Sequence, residues 1–201
     1  TQLCAYSQDM IKFYTSEGNF AYVGIDNAFT FNPKNPSKDK FIFKTNRGRI
    51  DSDNGRYYFK TMSKDSTEIS VYKISNGDTS LMHKEFIKIR KIADPSISVR
   101  GIELKAKIDK SIFRNAETLE GFLDIDNTLK NAFHIKSFKL TIISKAKTES
   151  FESYTNVFTG EMRGRLNNLN TGDKLLFEKI IASGPDGTTR YISHPDYVEV
   201  K

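Results

Sequence analysis

A single cysteine, no tryptophan and only three histidines occur in the 201 residues. Each shortage excludes something. Cys4 cannot form an intrachain disulfide or a cysteine metal cluster. His83, His134 and His194 stand far apart and outside any HxH or HExxH spacing, so no metal-ligand set is assigned. A membrane helix needs about 18 consecutive apolar residues, and no run approaches that, so the chain carries no membrane span. The G-x-S-x-G elbow, the P-loop and the dinucleotide fingerprint are all missing, so no catalytic residue and no cofactor are read from motifs.

What the chain does contain is aromatic and basic. Fifteen phenylalanines and nine tyrosines can fill a core without tryptophan. The net charge is +6, but Lys and Arg mostly alternate with apolar residues, as in FIKIRK and HIKSFKL. That is the pattern of a solvated sheet face. No basic cluster with a stacking platform occurs, so no nucleic-acid partner is expected.

Turn signals recur at short intervals and bound period-2 alternation, which implies a mainly all-β chain. AYVGIDNAFTF gives a strand pair and FIFKT alternates. Asn54-Gly55 marks a hairpin, because both residues tolerate positive φ. STEISVYKIS, the SNGD turn and LMHKEFIKIR complete about six strands. At Phe86–Gly101, FIKIRKIADPSISVRG, the alternation of Ile87 and Ile89 slips by one residue before Ile92. Pro95 then removes a ladder donor and holds Asp94 extended. Ala93, Asp94 and Pro95 are therefore read as a domain junction.

After Pro95 the pattern restarts. GIELKAKID alternates Ile102, Leu104, Ala106 and Ile108. NAFHIKSFKLTIIS places His134, Lys136, Phe138, Leu140 and Ile142 on one face. Met162, Leu166 and Leu169 follow helical spacing, with Thr159 as a cap and Gly172 just past the stop. This predicts one short α-helix near 160–169. KLLFEKIIAS, the tight turn SGPDG and TTRYISHPDYVEVK return to strands. The expected architecture is two consecutive Ig-like β-sandwich domains, 19–94 and 95–201, the second with the helix. Residues 1–18 are read as a signal-peptide remnant or a disordered segment. Ala5-Tyr6-Ser7 has the small-x-small form of a cleavage site. Leu3 stands where a lipoprotein signal has a small residue, which argues against a lipid on Cys4.

Three groupings invite a chemical reading and fail it. Asp51 to Arg56 (DSDNGR) lacks the donor at Gly55 and the distal Glu of a calcium loop. Asp124 and Asp126, beside Asn127, share a strand face, but nothing supplies a cleft. Tyr57-Tyr58-Phe59 cannot make one stacking platform, because successive strand residues face opposite sides. The chain reads as a binding or structural module, not an enzyme.

Several stretches occur in a telling order: NFAYVGIDNAFTF, the FIKIRKIADPSISVRG junction, LEGFLDIDN with FHIKSFKLTI, and GDKLLFEKIIASGPDGTTRYI. Together they resemble the C-terminal periplasmic half of the GldM/PorM family of gliding-motility and type IX secretion proteins of Bacteroidetes. The most specific piece is F-E-x-I-x-A-x-G-P-D-G-x-x-R, Phe177 to Arg190. The resemblance implies two consecutive β domains, a homodimeric periplasmic rod, and partners among other envelope proteins of the apparatus. It offers no catalytic residues. Gly184, Pro185, Asp186, Gly187 and Arg190 form the candidate interaction loop. The expected function is a non-enzymatic, exported periplasmic adaptor; the alternative is an exported glycan- or ligand-binding β-sandwich protein.

Overall fold

A computed structural model describes residues 10–15, 18–33, 40–123, 132–193 and 197–201. Cys4, His194 and the Asp124-Ile-Asp126-Asn127 group lie outside the described residues. Among the described residues no helix is long and apolar enough to cross a membrane. The chain divides into two compact units, Thr1–Ile92 and Ala93–Lys201.

The first unit is a sandwich of two four-stranded sheets. Its strands are β1 (Ile11–Phe13), β2 (Phe20–Tyr22), β3 (Asn27–Phe31), β4 (Lys40–Thr45), β5 (Arg49–Asp53), β6 (Arg56–Lys60), β7 (Thr67–Ser75) and β8 (Asp78–Arg90). One sheet runs β1-β3-β6-β5 and the other β2-β8-β7-β4. The first order is the A-B-E-D order of an Ig sheet, and β8-β7-β4 is its G-F-C partner. β2 pairs with β8 in parallel, Phe20 opposite Lys88. Ig domains fill the space between these sheets with a disulfide and a tryptophan. Here it is filled by aromatics: Phe29 lies 5.7 Å from Phe43 and 5.5 Å from Tyr57, ring centre to ring centre.

Two hairpins follow from their turn residues. Asn54-Gly55 joins β5 to β6 and Asn76-Gly77 joins β7 to β8, all four residues with positive φ. DSDNGR is thus a hairpin, and Asp51 spends its charge on Arg49 at 2.8 Å. Phe59 is buried while Tyr57 packs on Phe29, so the Tyr57-Tyr58-Phe59 run makes no platform.

Two expectations need correction here. The segment 1–18 is not wholly outside the fold, because β1 pairs with β3, Ile11 opposite Phe31. Ile11 and Phe13 are buried, and Glu85 Oε2 accepts from the Ile11 amide at 3.0 Å. Burial of two large apolar side chains, together with the ladder to β3, offsets the ordering cost of three residues. β8 ends at Arg90, so the expected slip before Ile92 falls beyond the strand, and the ladder has a register shift of its own at Met82, where Val71 pairs with His83 and Tyr72 with Leu81.

The second unit is also a β-sandwich. Its smaller sheet contains β9 (Ser96–Val99), β10 (Ile102–Glu103) and β12 (Glu120–Phe122) in the order β10-β9-β12. Its larger sheet contains β11 (Lys107–Ile108), β13 (His134–Ile143), β14 (Thr148–Ser153), β15 (Lys174–Ser183), β16 (Thr189–Ile192) and β17 (Val198–Val200). That sheet runs β11-β17-β15-β13-β14, with β16 beside β15. The α-helix α1 (Gly160–Asn167) begins at Thr159, whose hydroxyl accepts from the Met162 amide, and it buries Met162 and Leu166.

GIELKAKID is not one strand. Its two ends belong to different sheets, β10 beside β9 and β11 beside β17, so the chain crosses the sandwich between them and leaves Ile102 exposed. NAFHIKSFKLTIIS also departs from simple alternation. The β13–β15 register shifts twice, around Lys136 and again before Lys139. Ile135 is buried with Phe138, Leu140 and Ile142, whereas His134 and Lys136 are exposed. Each inserted residue reverses the side on which the following residues fall.

Candidate functional site

The two groups of residues singled out by sequence, the junction and the SGPDG loop, meet in space. The loop is a tight turn in which the Gly187 amide donates to Gly184 O at 3.1 Å and the Gly184 amide to Thr188 O at 2.8 Å. β16 then begins, and alternation turns Arg190 inward. Arg190 Nη2 donates to Asp186 Oδ2 at 3.1 Å, a pair whose side chains are only 4% and 1% exposed. Arg190 Nη1 donates to Asp94 Oδ1 at 2.9 Å and to Ala93 O at 3.3 Å. The guanidinium also lies 4.7 Å from the centre of the Phe133 ring. One buried cation thereby fastens two of the three junction residues to the C-terminal turn.

The third, Pro95, is buried and adjoins the same node. Gly121 and Gly184 are there because a side chain would not fit. A Cβ on Gly121 would come 2.9 Å from Phe133 Cβ, and one on Gly184 would come 2.8 Å from Asp186 Oδ1. Phe133, Gly121 and the Arg190–Asp94 pair were not legible as site residues; only G-P-D-G-x-x-R pointed to the node.

The electrostatics follow from this packing. Burial alone would raise the Asp186 carboxyl. Hydrogen bonds from the Thr188 hydroxyl and amide and from Arg190, together with the Arg190 charge, hold it below the usual carboxylate value instead. The Asp186 and Arg190 charges are thus turned towards each other; of the loop, Gly187 is the most open position.

The histidines take separate places. His83 Nε2 lies 3.2 Å from Glu85 Oε2 in the first unit, and His134 is exposed in the second. Among the described residues no three His, Cys, Asp or Glu side chains gather as a metal site.

The model of the GldM C-terminal domain matches residues 87–201, more than half of the chain, and includes the whole of this node. The chain belongs to the GldM C-terminal domain family. The family's match begins within β8 and continues through the junction, the helix and the G-P-D-G turn. No curated protein sequence matches the chain. Among solved structures, the fibronectin(III)-like modules of Clostridium thermocellum CbhA are similar at 12% identity and a TM-score of 0.28, over 95% of this chain and 93% of that one. The Yersinia pseudotuberculosis adhesin InvE has 12% identity and a TM-score of 0.28, over 95% of this chain and 58% of that one. The N-terminal four Ig domains of Dscam1 isoform 6.9 have 8% identity and a TM-score of 0.27, over 96% and 52%. The chain therefore spans little more than half the length of the last two.

Proposed function

We propose that this chain is a non-enzymatic, homodimeric periplasmic adaptor of the gliding-motility and type IX secretion apparatus, which binds other envelope proteins through its β domains. Membership of the GldM C-terminal domain family supports the setting. The observation that carries the mechanical part is the Arg190 tether, which ties Ala93 O and Asp94, the first residues of the second unit, to its Gly184–Arg190 turn. An adaptor that holds partners at a set spacing, or passes force between them, needs a junction that does not flex freely. With Ala93 and Asp94 held and Pro95 fixed in φ, the stretch by which the chain enters the second unit is restrained.

In this reading the two units are separate folding domains, and the boundary lies at Ala93-Asp94-Pro95. The test is an insertion of about ten Gly and Ser residues between Ile92 and Ala93, which spares the tether. Both units should still unfold cooperatively, small-angle scattering should report a broader distribution of interdomain distances, and secretion or gliding should fall in cells that depend on the protein. Undiminished secretion and gliding would rule out rigid spacing as the mechanism.

A further inference from the structure

In the second unit two strand edges border one open groove, and hydrogen-bond parity shows which backbone groups they present. The Leu104 amide donates to Ile97 O at 2.9 Å. In an antiparallel ladder the N–H and C=O of one residue point to the same side, and successive residues alternate. Ile97 therefore turns its backbone towards β10. Gly121, opposite Ile97 in β12, turns its N–H and C=O away from β9. The same parity holds across the larger sheet. The Gly184 amide donates to Thr188 O, so Ala182, two residues back in β15, spends its polar backbone on β16. Ile135, opposite Ala182 in β13, turns its N–H and C=O away from β15.

The strand that could have covered these groups stops short. β14 pairs with β13 only from Phe138 onward, and it ends there at Ser153. The chain then crosses to the smaller sheet, where Thr118 pairs with Val157 and the Leu119 amide donates to Asn156 O at 2.8 Å. Past this crossing, among the described residues, no strand lies beside the outward edge of Gly121 or of Ile135. Between the two edges is a groove of about 530 Å³, bordered by Asn156 at the crossing and by Phe133 and Lys136. Backbone donors and acceptors beside a vacant strand position are matched by another extended backbone. Such a strand would lie about 4.8 Å from β13.

Charge decides whose backbone it is. Glu120 is already engaged, accepting from the Gly101 amide and from the Thr118 hydroxyl, each at 3.2 Å. His134 and Lys136 are exposed on either side of Ile135, and the chain carries +6. A second copy pairing through the same edge would bring like charges together, and a lysine on an edge strand discourages that. A segment that carries carboxylates is attracted by the same lysine. We infer that the groove takes an extended acidic segment of a partner protein as an added strand beside β13, laddered to Ile135 and matched in charge by Lys136. This adds a docking site to the adaptor proposed above and does not depend on the rigid junction.

The test uses the full chain, isotope-labelled, titrated with the capped peptide Glu-Thr-Val-Thr-Val-Glu and followed by amide chemical shifts and hydrogen exchange. Shifts should cluster at 119–121 and 133–137, exchange of the Ile135 amide should slow, and binding should weaken with salt. Lys136→Glu should weaken binding about tenfold with the melting temperature unchanged, and should favour a peptide with lysines in place of the glutamates. N-methylation of the peptide amides keeps the side chains but removes the ladder donors, so it should abolish binding. The inference is overturned if the parent peptide leaves these residues unmoved, if the N-methylated peptide binds as well, or if dilution of the protein alone moves them. None of these outcomes alters the insertion test of the junction, so the two readings fail separately.

Discussion

Arg190 and Asp94 lie 96 residues apart in sequence and 2.9 Å apart in the fold. The same guanidinium holds Asp186, four residues before it, at 3.1 Å. The two contacts are not equivalent. Asp94 is 57% exposed on its side chain, whereas Asp186 is 1% exposed.

Removing one partner of a buried pair leaves the other charge without compensation, at a cost of about 3–5 kcal/mol. Arg190→Ala should therefore destabilise the second unit by about that amount in denaturant unfolding, with Arg190→Lys in between, since an ammonium cannot serve both carboxylates in a fork. Asp94→Asn should cost no more than about 1 kcal/mol, because solvent screens an exposed pair. An Arg190→Ala variant as stable as the parent would show that the node is not what holds the turn.

Asp186 links stability to pH. Its folded carboxyl titrates below the usual value, and an unfolded Asp titrates near 3.9. Below that pH the unfolded chain binds the proton more readily than the folded one, so the contribution of Asp186 is complete above about pH 4 and disappears as pH falls through the folded pKa. Asp186→Asn should flatten the acid limb of the stability profile of the second unit. An unchanged acid limb would assign the acid sensitivity elsewhere.

Two glycines should respond in opposite directions. A Cβ on Gly184 meets Asp186 Oδ1 at 2.8 Å and Phe133 Cε1 at 3.1 Å, whereas Gly164, inside α1, has nothing within 4 Å. Gly164→Ala should stabilise by up to about 1 kcal/mol through helix propensity, and Gly184→Ala should destabilise. Thermal melts of the two variants decide the matter; a neutral Gly184→Ala would mean that the node relaxes around a methyl group.

The proposed adaptor is a homodimer, and the unpaired backbone of an edge strand invites pairing between copies. Sedimentation velocity should show a homodimer at micromolar concentration. Monomer throughout that range would remove the dimer from the proposed adaptor.

What was legible in the sequence was local. Asn54-Gly55 and Asn76-Gly77 declared their hairpins because positive φ selects those residues, and Thr159 with Met162 and Leu166 declared the helix. The misreadings arose where one residue changes the parity of a strand. Lys136 and Lys179 sit at register shifts that no propensity scale marks, so His134 and Lys136 were expected on the face of Phe138. The node was half visible. G-P-D-G-x-x-R pointed to a turn, but the pairing of Arg190 with Asp94 joins residues from opposite ends of the unit, and only the fold brings them together.

The parallel pairings carry a consequence for timing. β2 is held by β8, with Tyr22 opposite Arg90, and β11 by β17, with Ile108 opposite Val200. In each unit an early strand waits for the last one, and such long loops must close before the contact repays them. In a chain that becomes available from its N-terminal end, the first unit stays open until Lys88–Arg90 arrive, and the second until Val198–Val200 arrive. Each unit would therefore reach its native state in a single late step, and the segments that wait, Phe20–Tyr22 and Lys107–Ile108, are where a chaperone would find unpaired backbone.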